Sequence, residues 1–150
     1  MDFRNIADSR GNQIFHSNKW MITFDDEHID ELISQAKKNS KRKARFCLHP
    51  DPESQMQVTY LAFVSPYQDE IHSHPNRPEV LIPVRGEAEA RTFDGGGNLI
   101  KSEIMLGNSG TAFSSSPGTW HSIFVKSDVF VMIEIGLGPF TKDSTVLLNN

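Results

Sequence analysis

The chain of 150 residues contains one cysteine, Cys47, so no internal disulfide can form and no thiolate cluster can hold zinc. Any metal is therefore expected to use nitrogen and oxygen ligands, and Cys47, between Phe46 and Leu48, reads as small core filling rather than a nucleophile. Long apolar runs are also missing. "VTYLAFV" and "VFVMIEIGLG" fall well short of the ~20 residues of a membrane-spanning helix, so no membrane partner is expected. The opening "MDFRNIADSRGNQ" has no apolar core of a secretory signal, which makes the cytoplasm the expected location. Basic residues are not in excess: 15 Lys and Arg stand against 19 Asp and Glu, a formal charge of −4. That balance gives no electrostatic reason to bind nucleic acid.

What is present is ordinary globular composition, 37% hydrophobic and 23% charged, in a length that suits one domain. Residues 1–25 mix polar positions with Ile6, Ile14, Phe15, Trp20, Met21 and Ile22, a pattern too interrupted for a helix and too regular for a free tail. It reads as a short docking arm. The segment "DDEHIDELISQAKKN" places Ile29, Leu32, Ile33 and Ala36 at helical spacing, with acids in the first turn and Lys37 and Lys38 in the last. This predicts one amphipathic helix over 26–38. The basic run at residues 40–45, "SKRKAR", reads as solvated linker.

Beyond the linker, short β-rich stretches are predicted at 55–65, 71–74, 79–85, 87–94, 99–106, 111–114, 119–126 and 129–136, punctuated by Pro, Gly, Asn and Ser. "DGGGN" between two of them marks a hairpin tip. Many short strands with such turns indicate a mainly β sandwich or small barrel over about 55–136, within a single unit spanning 26–150.

The chemistry concentrates in "HSHPNRPEVLIPVRG", residues 72–86. His72 and His74 are two apart in a strand, so both imidazoles leave one face, and Glu79 returns on the next strand. "PGTWH" adds His121, sharing a face with Ile123 and Val125, the position of an inward residue. Three imidazoles and one carboxylate suit a divalent transition metal: Fe, Mn, Zn, Ni, Co or Cu.

These two groups resemble the two motifs of the cupin superfamily, His-x-His with Glu and Gly, then Gly-x-x-His. His72, His74, Glu79 and Gly86 match the first, and Gly118 and His121 match the second. The resemblance implies a double-stranded β-helix (jelly-roll) barrel whose metal ligands are His72, His74, Glu79 and His121. The wider layout, with the helix, "RFCLHPDPESQMQ", "HSHP", "GTWH" and "IEIGLGPF", looks like the WbuC family of cupin-fold metalloproteins. That likeness implies a setting in bacterial surface-polysaccharide biosynthesis.

Other candidates surround this set. Glu134, an acid within "FVMIEIG", is expected either to act as a catalytic base or to pair with a buried arginine or histidine. It shares a face with Phe130 and Met132, but the pattern does not say which face is inside. His49 is expected near the barrel mouth, in a catalytic or structural hydrogen bond on the substrate side rather than as a fifth ligand. Arg77 is expected at the rim, meeting an anionic substrate or simply solvated. His16 and His28 are expected on the surface.

The leading expectation is a metal-dependent isomerase or epimerase of a small polar substrate, such as a sugar or sugar nucleotide. The alternatives are an Fe(II)-dependent dioxygenase and a non-catalytic metal- or ligand-binding module. A homodimer is expected from the arm and the exposed sheet edges.

Overall fold

The computed structural model describes residues 2–5 and 13–149. Its helix α1, Asp26–Lys38, begins as its sequence requires. The Asp25 carboxylate accepts from the His28 backbone N–H while the His28 ring accepts from the Asp25 N–H, a reciprocal cap for N–H groups that have no partner inside the helix. Asp26 and Glu27 in the first turn, and Lys37 and Lys38 in the last, complement the helix dipole.

The strands are β1 (Phe3–Asn5), β2 (Ile14–Ser17), β3 (Lys43–Cys47), β4 (Met56–Val64), β5 (His72–Ser73), β6 (Glu79–Arg85), β7 (Glu87–Phe93), β8 (Leu99–Leu106), β9 (Phe113–Ser115), β10 (Trp120–Val125), β11 (Val129–Leu137) and β12 (Val146–Leu147). They form a seven-stranded sheet in the order β1-β2-β3-β4-β11-β6-β9 and a five-stranded sheet in the order β12-β5-β10-β7-β8. Strands adjacent in sequence are often distant in the sheets: β11 lies between β4 and β6, and β10 between β5 and β7. This is the mainly β, cupin-type jelly roll.

Period-two alternation divides the larger sheet into two apolar faces. Ala44, Phe46, Ala62 and Val131 turn outward and pack with Phe3, Phe15 and the Ile29, Leu32, Ile33, Ala36 stripe of α1. Leu61, Phe63, Leu81, Phe130 and Met132 turn inward against Ala88, Met105, Ile123 and Val125 of the smaller sheet. Leu32 and Phe130 are wholly buried, and truncating either to Ala should cost roughly 2–5 kcal/mol.

Two expectations change here. The run at 40–45 is not linker throughout: Lys43 and Arg45 belong to β3, which pairs antiparallel with β4, because the intervening Ala44 and Phe46 bury against α1. The basic residues are the alternate face of a strand. The arm contributes β1 and β2, and β2 joins β3 in parallel. Trp20 and Met21 are exposed, and Ile6 lies outside the described residues.

Candidate metal centre

His121 on β10 stands opposite His72 on β5 in antiparallel register, so both imidazoles project from the same face of the smaller sheet. His74 follows β5 by one residue. The Gly118 N–H donates to the His74 carbonyl at 2.9 Å, which ties the "PGTWH" turn to the "HSH" strand. Gly118 holds φ +80, a left-handed conformation that favours glycine. Gly86 closes the first motif at φ +81, where a Cβ would lie 2.0 Å from the Val129 carbonyl oxygen.

The three rings converge, with centroids 4.4 Å apart for His72 and His121, 5.1 Å for His72 and His74, and 5.5 Å for His74 and His121. Their ligand nitrogens all lie within 4.8 Å of one another. Each Nδ1 faces a backbone carbonyl: Glu70 at 2.8 Å for His72, Ser144 at 2.9 Å for His74 and Thr119 at 2.8 Å for His121. A neutral ring donating from Nδ1 leaves a bare lone pair on Nε2. Burial lowers the pKa of all three, so they are neutral at pH 7.

Glu79 enters from β6 in the opposite sheet. Its Oε1 is 3.3 Å from His74 Nε2 and its Oε2 is 3.7 Å from His121 Nε2. Bare nitrogens and carboxylate oxygens are all electron-pair donors, so a cation or a proton is needed between them. Burial and the nearby negative charge of Glu134 push the Glu79 carboxyl upward, with Arg77 opposing them. The donor set fits a borderline divalent ion.

Arg77 supports this carboxylate from behind. Its guanidinium donates from Nε to Glu79 Oε1 at 3.3 Å, and from Nη1 to Gln57 Oε1 at 3.2 Å and to the Leu137 carbonyl at 2.6 Å. Its Nη2 lies 3.6 Å from Glu134 Oε1, and the Phe140 ring covers its outer face at 5.0 Å. Arg77 is 6% exposed. The rim position expected for a substrate contact is therefore corrected: the short "HPNRPE" turn folds the side chain inward, where two carboxylates need a counter-charge.

Glu134 shares the inward face with Phe130 and Met132, packed in register with Thr59 and Leu81. It pairs with the buried Arg77, and its side chain keeps 21% exposure. His49 does not join the triad. Its Nδ1 lies between the Val58 N–H at 3.1 Å and the Val58 carbonyl at 3.2 Å, and burial lowers its pKa to about 4.

His16, expected on the surface, is instead buried beside Cys47 and His49. Register with β3 puts it there: its neighbour Phe15 faces the helix-side core. His28 caps α1. Phe124 lies under Arg91, 4.2 Å from ring to guanidinium, and Phe113 packs on the inter-sheet core. Sequence reasoning missed Ser144, whose carbonyl anchors His74 across 70 residues; a backbone acceptor carries no side-chain signal.

No curated protein matches the chain. Among solved structures, the CapF structure with inhibitor 3-isopropenyl-tropolone is similar at 18% identity over 74% of this chain and 33% of that one, with a TM-score of 0.64. The capsular polysaccharide assembling protein CapF from Staphylococcus aureus is similar at 20% identity over 72% of this chain and 29% of that one, with a TM-score of 0.60. A Bacillus subtilis oxalate decarboxylase structure, titled for its Mn(II) centres, is similar at 19% identity over 63% of this chain and 24% of that one, with a TM-score of 0.52. The chain spans a third or less of each of these proteins. At such identities the likeness shows the fold, a cupin-type barrel. A family model matches residues 24–105, more than half of the chain, which therefore belongs to the family described as Domain of unknown function (DUF6016).

Proposed function

We propose that the protein is a metal-dependent cupin of the WbuC type, acting as an isomerase or epimerase on a sugar or sugar nucleotide in bacterial surface-polysaccharide biosynthesis. One observation carries the metal reading: three imidazoles pinned through Nδ1 converge, and the Nε2 atoms of His74 and His121 face the buried Glu79 carboxylate. His72, His74, Glu79 and His121 would hold the ion. The Mn(II) centres of a similarly folded oxalate decarboxylase support this reading, and the capsular polysaccharide role in the CapF title supports the glycan setting.

A bound divalent ion supplies Lewis acidity toward a carbonyl or hydroxyl oxygen. The chain supplies the proton handling. Glu134 faces the barrel interior and retains exposure, so its carboxylate takes and returns the substrate proton. Arg77 orients Glu134 while holding Glu79 toward the imidazoles. In this reading the protein works in the cytoplasm as a homodimer.

Elemental analysis of purified protein, followed by a sugar-nucleotide turnover screen with and without dioxygen, tests this. About one ion at the triad, oxygen-independent turnover, and loss of turnover with retained metal in Glu134→Gln are expected. Absence of bound metal, with no rise in melting temperature on adding divalent ions, would refute the site. Turnover that requires dioxygen would refute the isomerase assignment.

A further inference from the structure

Among the described residues a second group of donors lies outside the triad: His16, Cys47 and His49, all buried, with ligand atoms within 4.8 Å of one another. His16 and Cys47 are register partners on the parallel strands β2 and β3, and His49 follows β3 by two residues. The two rings stand edge to face at 5.1 Å. His16 Nδ1 lies 3.2 Å from the His49 carbonyl, and His49 Nδ1 lies 3.2 Å from that of Val58. Donation from His16 Nδ1 frees the Nε2 of that ring, the same device that frees the triad; His49 Nδ1 also accepts from the Val58 N–H at 3.1 Å, so metal loading moves the His49 proton from Nε2 to Nδ1, where the Val58 carbonyl accepts it. Thr59 Oγ1 donates to Cys47 Sγ at 3.7 Å, a contact that a thiolate strengthens.

We propose that His16, Cys47 and His49 form a second metal site, of two-imidazole, one-thiolate type, for a borderline-soft divalent ion such as zinc. Loading replaces the Cys47 thiol proton with a metal–sulfur bond and releases that proton to solvent; no electron moves. Zinc takes these three donor types together. Because His16 belongs to β2, the ion fastens the N-terminal strands to the barrel.

Cobalt(II) is the probe, since thiolate-to-cobalt charge transfer absorbs in the near ultraviolet and Cys47 is the chain's one cysteine. The full chain titrated with cobalt(II) should develop this band and lose it to excess zinc. The band should persist in His72→Ala, which disables the triad, vanish in Cys47→Ser, and weaken at least tenfold in affinity in His16→Gln. His16→Gln keeps the test decisive if Cys47→Ser fails to fold. A folded wild-type chain without the band, or a band of unchanged affinity in both His16→Gln and His49→Gln, would overturn the site. Neither result bears on metal at the triad, which is counted in Cys47→Ser or His16→Gln.

Discussion

Arg77 Nε lies 3.3 Å from Glu79 Oε1, with both residues less than a tenth exposed. The same guanidinium reaches Glu134 from another nitrogen, so one buried cation serves two carboxylates. Removing one partner of a buried pair is costly because the other is left charged in a poorly solvated place. Arg77→Met should lose about 3–5 kcal/mol, a fall of roughly 10 °C in melting temperature, read by calorimetry of metal-free protein. Arg77→Lys should recover little, since an ammonium lacks the planar fork that meets several acceptors at once.

Gly136 offers an independent route to the same guanidinium. A Cβ there would lie 2.4–2.5 Å from the Arg77 guanidinium atoms, so Gly136→Ala should push Arg77 away from Glu79 and Glu134. Metal affinity should drop along with the melting temperature. Isothermal titration with Mn(II) reads the first and thermal unfolding the second; unchanged affinity would show that Arg77 does not position Glu79.

At the triad, His72→Ala or His121→Ala, each made in a His16→Gln background that disables the second site, should strip the metal while circular dichroism still reports a folded β protein. The barrel core of Leu61, Phe63, Met105, Ile123 and Phe130 does not depend on either imidazole. Elemental analysis with the spectrum checks both halves.

The pH dependence of the metal-free protein follows from shifts of opposite sign. His49 sits at about 4 when folded, against an ordinary 6.5, and His16, His72, His74 and His121 are also lowered. Between those values the unfolded chain binds more protons, so stability is lost as pH falls from 6.5 toward 4. Glu79 is raised, so the folded chain holds its proton longer and that contribution fades as pH rises above the ordinary carboxylate value. Melting curves should show a steep acid limb, flattened in part by His49→Gln, and a decline that ends near pH 8, which Glu79→Gln removes.

Much of this was legible in local pattern. Helical spacing and end charges predicted α1 at 26–38, and it forms at Asp26–Lys38. The segments predicted at 79–85 and 99–106 form strands over the same residues. Alternation likewise put His121 on the face of Ile123 and Val125, both of which bury. What failed was the reading of charge without its partners. The basic run at 40–45 looked like linker because two buried neighbours cannot outvote four cations in a local count, yet Ala44 and Phe46 make its last three residues the start of β3.

By itself, then, the sequence determined α1 and most strands of the barrel, because periodicities of 2 and 3.6 are local properties, while the resemblance to cupin motifs grouped His72, His74, Glu79 and His121. Only the tertiary structure decided which face of β11 is inside, that Arg77 turns inward to neutralise Glu79 and Glu134, and that His16 meets Cys47 and His49. Those relations join residues up to 57 positions apart, as in the Arg77–Glu134 pair. They depend on which strands become neighbours, and sheet order is set by the packing of the whole chain.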